Sequence, residues 1–411
     1  MESPRPFEGK KVIDLCWSGV GVFVQNFLGY YGGTIVRVES SIRPDPIRAY
    51  PPFAPTYSKD EHPGLERSAY FSITHPVKEF GLLLNFNHPK AIELFKKLVT
   101  WADIVCESFT GGQMEKWGLG YDDLKKIKED IIMFRTCGYG HTGFLASQPG
   151  FGQTLSSVAG LNSITGWPDR PSIPIVPFYS DLLSPLFGAL ALLTAVDYHH
   201  RTGLGQCIDH SQVEASVNYL TPIILDYVVN GREFTTTGNR IAFAAPHGAY
   251  PCKGNDRWVA IAVSTDDEWV SFCKVIGKPD WTRDKKFSTL TLRIKNIDEL
   301  DQLVGEWTTY YTAEQVMAMM QTAGVPAGVV ENAQDQAEDP QLKHYEFFRE
   351  LDHPYVGKLN YYHPPAFKLS DCPAELGRPV LLGEHTEYVC TQILGLSDEE
   401  FVQLLQEGVF E

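Results

Sequence analysis

The stretch Lys11–Glu39, KVIDLCWSGVGVFVQNFLGYYGGTIVRVE, decides the fold. Its opening run KVIDLCW (Lys11 to Trp17) is short and mostly apolar, as a strand covered on both faces would be. SGVG then turns the chain, Val22 to Tyr31 is an apolar helical stretch, Gly32-Gly33 ends it, and TIVRVE (Thr34 to Glu39) is a second strand. This is a βαβ unit of about 30 residues. The pattern repeats downstream. HPKAIELFKKLVTWA reads as an amphipathic helix before a strand DIVCESF, and YDDLKKIKED as a helix before a strand IIMFRTCGYG. Alternating strands and helices predict a parallel α/β sheet with ligands at the carboxyl ends of its strands.

Further along, Leu182 to His200 reads as a nearly all-round apolar helix, hence a buried one. After VNGREFTTTGNR a new block begins: a strand RWVAIAV, a helix DDEWVSFCKVIG, and a helix TAEQVMAMMQTAG with a Thr312-x-x-Gln315 capping box. Leu351 to Leu369 reads as strands with Pro-rich turns, and Ser397-x-x-Glu400 caps a last helix. A large domain over 1–229 and 331–411 with a smaller α+β domain over 230–330 is expected.

Composition bounds the function. The chain has 411 residues, 43% of them hydrophobic, and a net charge of −16. That charge argues against a nucleic-acid or anionic-membrane partner, while a local basic pocket for phosphate stays open. The N-terminus MESPRPFEGKK has no apolar signal region, and the run Leu182 to Val196 is too short to span a bilayer. Eight scattered cysteines without a C-x-x-C pair read as reduced, buried thiols of a cytoplasmic protein. His199, His200 and His210 lack ligand spacing, so no metal site is expected.

Three places invite chemistry. Gly19-x-Gly21 with Glu39 mimics a dinucleotide fingerprint, but the third glycine position is Val24; the glycines equally serve a tight turn and close helix packing. In VPFYSDLLSPLFGALALLTAV (Val176 to Val196) a single carboxylate, Asp181, precedes the long apolar run. Asp favours the helix N-cap, Ser180 would cap equally well, and an anion at a helix N-terminus also suits a nucleophile toward an activated carbonyl. In QCIDHSQVE, Asp209, His210 and Glu214 resemble acid–base groups, but a strand edge and a capped helix start account better for them.

Taken together, these segments resemble the family III CoA transferases over nearly the whole chain. The opening unit parallels the family's strand–turn–helix–strand and its closing V-[KR]-V-E, and PDPIR (Pro44 to Arg48) its GDPxR. ADIVCESFTGGQMEKWGLGYDDL, GALALLTAVDYHHRTGLGQCIDHSQVEA, AGVPAGVVENAQDQAEDPQL and RPVLLGEHTEYVCTQILGLSDEE match later family segments in order. The resemblance implies a Rossmann-like domain built from both chain ends, a small domain and an interlocked dimer.

It also implies that Asp181 is a nucleophile, forming an acyl-aspartyl anhydride and then an aspartyl-CoA thioester. Coenzyme A is then substrate and product, with no metal. The implied CoA contacts are Gly19, Val20, Arg43, Lys78, Ser108, Phe109, Lys116, Gly150 and Phe151. The chain departs from the family at Val20-Gly21-Val22, at Thr110-Gly111-Gly112 and at Ser40. Such drift also fits a chain working beside a paralogous subunit, either as a catalyst or as a CoA-binding subunit without chemistry. Acyl-CoA racemases of the same superfamily use a His-Asp pair before the nucleophile; Phe151 and Gly152 stand there and carry no proton, which favours transfer. Phe144, Phe151, Trp167, Phe178 and Tyr179 suggest a bulky or aromatic acyl group, succinyl-CoA is the expected donor, and FAAPHGAYP (Phe243 to Pro251) reads as a positioned loop over the site.

Overall fold

The computed structural model describes residues 5–54, 64–175, 179–362 and 365–411. The chain divides into two compact units, Met1–Asn162 with Pro174–Glu233 and Glu346–Glu411, and Ser163–Ile173 with Phe234–Tyr345.

The first unit is built on six strands: β1 (Lys11–Leu15), β2 (Thr34–Glu39), β3 (Glu79–Leu83), β4 (Ile104–Glu107), β5 (Ile132–Cys137) and β6 (Cys207–Ser211). All neighbours pair in parallel, in the order β3-β2-β1-β4-β5-β6. This is the doubly wound order, with the change of direction between β1 and β4. Its helices include α1 (Val20–Tyr30), α2 (Pro89–Trp101), α3 (Tyr121–Ile127), α4 (Gly152–Val158), α5 (Tyr179–Thr202), α6 (Gln212–Val217) and α7 (Thr221–Asn230).

The strands read as continuous apolar runs because alternate residues feed two separate cores. Ile13, Leu15, Val36, Val38, Val105 and Met133 pack with Leu94, Phe95 and Leu98 of α2 and with Val389, Val409 and Phe410 from the chain's end. Val12, Ile35, Ile104, Ile132 and Phe134 pack on the other face with Val24 and Leu28 of α1 and with Ala189, Leu192 and Ala195 of α5. Both ends of the chain therefore build this domain.

Helix α5 corrects one expectation. It is long and apolar enough to cross a membrane by length and composition, yet it is not buried all round. Ser184, Gly188, Ala189 and Leu192 are buried, while Leu182, Leu186 and Leu190 are more than half exposed. Small residues bring one side onto α1 and the sheet; the leucine side is left more than half open by the described residues. The cysteines also depart in part from the expectation. All eight are free thiols, but Cys207 is exposed and Cys372 half-buried.

The second unit has an antiparallel sheet of β7 (His247–Pro251), β8 (Trp258–Ala262) and β9 (Ala327–Val329), in that order. Helices α8 (Asp266–Val275), α9 (Ile297–Thr308) and α10 (Ala313–Thr322) pack on it through Phe272, Val304, Val316 and Met320. The Thr312–Gln315 capping box forms as read. FAAPHGAYP is only partly a loop, because from His247 onward it is β7. An antiparallel hairpin, β10 (Phe348–His353) and β11 (Gly357–Tyr362), belongs to the first unit, as does the last helix α11 (Asp398–Gln406), which starts at the Ser397–Glu400 capping box.

Candidate active site

Strands β1 and β4 end side by side where the sheet reverses its winding, and two adjoining cavities of about 360 and 440 Å³ open there. They share Trp17, which follows β1, Ser108 and Thr110, which follow β4, and Arg43.

The turn out of β1 is held from several sides. Cys16 N donates to Asp14 Oδ1 at 2.8 Å, Trp17 N to Ser108 Oγ at 2.7 Å, and Ser18 N to the Asp45 carboxylate at 3.3 Å. Ser18 has φ +57° and Gly19 φ +103°, so the chain enters α1 through two left-handed residues, and glycine suits the second. Asp45, from PDPIR, also accepts Ile47 N and takes Arg37 Nη2 at 2.8 Å. Buried Arg37 further reaches Asp14 at 2.7 Å and Glu39 at 3.1 Å, and Arg48 reaches Glu39 at 2.7 Å and Glu66 at 2.8 Å. This ion-pair network braces the turn from behind. Burial is the largest effect on Asp45 and lifts it to about 6 despite Arg37. It also lifts Glu79 to about 8. Asp14, His75 and Glu79 bring candidate ligand atoms within 4.8 Å of one another, but Asp14 Oδ2 is already held by Arg37 and Gln25.

The larger cavity reaches Asp181. Helix α5 begins at Tyr179, so Asp181 lies within its first turn. Ser180 is occupied elsewhere: its backbone N–H donates to Ser156 Oγ at 3.2 Å and its hydroxyl to Gly152 O at 2.9 Å. These bonds pin the helix start to α4, and Asp181 lines the cavity. Burial pushes Asp181 up to about 7, against the opposing pull of Ser180. The stretch Val176–Phe178, with its aromatic Phe178, lies outside the described residues.

The smaller cavity is the more apolar-walled of the two. Trp17 meets Phe109 edge-on with centroids 5.6 Å apart, Phe109 meets Trp117 at 5.3 Å, and Phe86 meets Trp117 at 4.9 Å. Arg43 lies over the Trp17 ring, 5.4 Å from its centroid, with no ion pair among the described residues. It is a cation available to a ligand at the junction of the two cavities.

The structure gathers most of the residues singled out from the sequence. Asp181, Val20, Gly150 and Phe151 line the larger cavity, Phe109 the smaller, and Arg43 and Ser108 both. Gly19 shapes the turn without lining either. Two lysines fall elsewhere. Lys78 immediately precedes β3, at the amino end of the sheet, and lies in another cleft 3.8 Å from Glu375. A parallel sheet puts opposite ends of its strands on opposite edges, so this position cannot share the cavity at the carboxyl ends. Lys116 ends the short helix Gln113–Lys116, exposed, and lines neither cavity. Of the aromatic group, Phe151 lines the Asp181 cavity, Phe144 is almost fully exposed, and Trp167 lies against Gly238 within the second unit.

Asp209 and His210 serve the frame. Asp209 pairs with His141 Nδ1 at 3.0 Å, and His141 Nε2 pairs with Glu107 at 3.1 Å. Burial acts to lower His141, but hydrogen bonds to Cys137 and Glu107 and the charge of Glu107 hold it at about 10. Ser211 caps α6, as a structural reading of QCIDHSQVE requires. Trp17, Thr110, Asn85 and Gln212 were not singled out from the sequence. All four follow β1, β4, β3 or β6 within a few residues, and the rule that ligands bind at strand carboxyl ends was enough to find them.

A family model described as CoA-transferase family III matches residues 7–386. The chain is 29% identical to succinyl-CoA–D-citramalate CoA-transferase of Chloroflexus aurantiacus, over 99% of this chain and 98% of that one. It is 28% identical to human succinyl-CoA:glutarate CoA-transferase, over 100% and 91%. A crystal structure of a CAIB/BAIF family protein from Brucella suis superposes with a TM-score of 0.86 at 27% identity, over 95% of this chain and all of that one.

Proposed function

The chain belongs to CoA-transferase family III and is a CoA transferase; we propose that it moves CoA from succinyl-CoA to a short dicarboxylic acid through covalent intermediates on Asp181. The observation that carries this reading is the placement of a carboxyl within the first turn of a long helix, facing a cavity that continues to the switch point of the sheet. The helix N-terminus favours the anion, and the carboxylate needs no separate base to act as a nucleophile.

The exchange balances in four steps. Asp181 attacks the donor thioester carbonyl, and the C–S bond breaks to release CoA thiolate and leave an acyl-aspartyl anhydride. The thiolate attacks the aspartyl carbonyl and releases the donor acid, giving an aspartyl-CoA thioester. The acceptor carboxylate attacks that carbonyl and frees the thiolate again. The thiolate then takes the acceptor acyl group and restores Asp181. Each step trades one activated carbonyl for another, so the thioester energy is kept.

Arg43, over Trp17 between the cavities, suits a phosphate of CoA as a planar cation. The aromatic wall of the smaller cavity suits the nucleotide end, and the turn at Gly19 and Val20 the thioester end. The acid class follows the relatives, whose acceptors are citramalate and glutarate. An aromatic acceptor is the poorer reading, since of the described aromatic residues picked from the sequence Phe151 alone lines the cavity of Asp181. We further place the enzyme in the cytoplasm, on its eight free thiols, and as a dimer of identical chains.

Hydroxylamine trapping tests the mechanism. Incubation with succinyl-CoA and hydroxylamine is expected to leave a hydroxamate on the Asp181 peptide, read by mass spectrometry. An Asp181→Ala protein that still transfers CoA would remove the nucleophile assignment.

A further inference from the structure

Gln212 is the first residue of α6, directly after β6, and it lines the cavity that holds Asp181. It is 9% exposed, and its side-chain carbonyl Oε1 is wholly buried with no hydrogen-bond donor. Its amide nitrogen has no acceptor among the described residues. The backbone around it is fixed: Val213 N donates to Gly138 O at 3.0 Å, and Ser211 Oγ accepts Glu214 N at 3.3 Å. An apolar side chain of equal length would fill the same space without stranding a carbonyl. A buried polar atom left unsatisfied asks for a reason outside folding. With Oε1 turned inward, the Nε2 hydrogens are the end of the amide left for the cavity, where carbonyl oxygens of a bound acyl group need donors.

We propose that Gln212 is a further catalytic residue, donating from Nε2 to the oxyanion formed when Asp181 attacks the thioester. This rests on the reading of Asp181 as nucleophile. As the Asp181 oxygen bonds to the thioester carbon, the carbonyl π pair moves onto its oxygen, and that oxyanion accepts the Gln212 hydrogen bond. The pair then returns, the C–S bond breaks, and its electrons leave on sulfur as the CoA thiolate. The donor is held before the reaction by packing, so it needs no rearrangement as charge develops. The same amide serves each later tetrahedral intermediate.

The test measures the rate of hydroxamate formation on the Asp181 peptide in single turnovers with short dicarboxylyl-CoA thioesters, succinyl-CoA first. Gln212→Met is expected to label about 100-fold more slowly than wild type, the order seen when one oxyanion donor is lost. Its KM for succinyl-CoA is expected to stay close to wild type and its unfolding midpoint to rise as the stranded carbonyl is removed, a split that a merely structural role would not give. A wild-type labelling rate in folded Gln212→Met overturns the inference while leaving Asp181 as nucleophile. If Gln212→Met does not fold, Gln212→Asn takes its place; it keeps the amide but withdraws it by one carbon, and a wild-type rate there overturns the inference equally. Absence of any label on wild-type Asp181 overturns the nucleophile reading and this inference with it.

Discussion

Asp181 is subject to two opposed influences. The start of α5 favours its anion, and burial, the larger effect, favours its acid form, at about 7. The folded carboxyl keeps its proton over a range where the unfolded chain, near 3.8, has lost it. Stability from this group therefore falls as pH rises between those values, and the loss is complete above pH 7. Asp181→Asn is expected to abolish transfer yet raise the unfolding midpoint at pH 8 more than at pH 5. An equal effect at both would show that burial of the charge is not the cause. For the same reason, kcat/KM of the wild type is expected to climb with pH through an apparent value near 7.

Arg37 poses the reverse case. It is buried against Asp14, Glu39 and Asp45. Arg37→Met leaves Asp14 and Asp45 without a cation, while Glu39 keeps Arg48, and is expected to cost about 3–5 kcal/mol in urea unfolding. A loss below about 1 kcal/mol would mean that they simply take up protons.

Among the elements, α5 sets the position of the nucleophile, and Gly188 sets the position of α5. A Cβ at Gly188 would come within 2.8 Å of Val24 Cγ2 on α1 and 3.0 Å of Phe134 Cζ on β5. Both neighbours belong to the packed core, so the helix itself would have to move. Gly188→Leu is expected to lower stability by about 1–3 kcal/mol and to slow labelling of Asp181 as its helix shifts. Unfolding curves read alongside labelling rates check this; unchanged labelling would show that the helix start is held independently, by Ser180 on Gly152. The same element marks where sequence reading stopped short. Its apolar pattern announces a long helix, but a pattern apolar all round does not say which side the chain covers. Gly188 and Ala189 decide that by permitting close approach, while Leu182, Leu186 and Leu190 stay outside.

At the scale of the molecule, the uncovered leucines of α5 have company. Helix α7 buries no residue, and its Leu225, Val228 and Val229 are more than half exposed. Neighbouring exposed apolar side chains of this kind are what a protein–protein interface would cover, as the proposed dimer requires. Sedimentation is expected to give twice the chain mass of 46.1 kDa. Leu225→Glu with Val228→Glu is expected to release monomers. A monomeric wild type at micromolar concentration would rule out the homodimer and direct attention to a second kind of subunit.

The sequence by itself determined what is written in local periods: the βαβ series from Lys11 onward, the caps at Thr312 and Ser397, and the placing of one carboxylate, Asp181, at the head of an apolar helix. These follow from spacing over a few residues, which physical chemistry reads without knowing the rest of the chain. Only the tertiary structure decided which distant residues meet. Arg43, Ser108, Gly150, Asp181 and Gln212 come from five separate segments and converge because parallel strands deliver their following residues to one edge of the sheet. Lys78 has the right chemistry and stands at the other edge. A charge on a chain has a type, but its partners depend on the strand order, and no local period encodes that order.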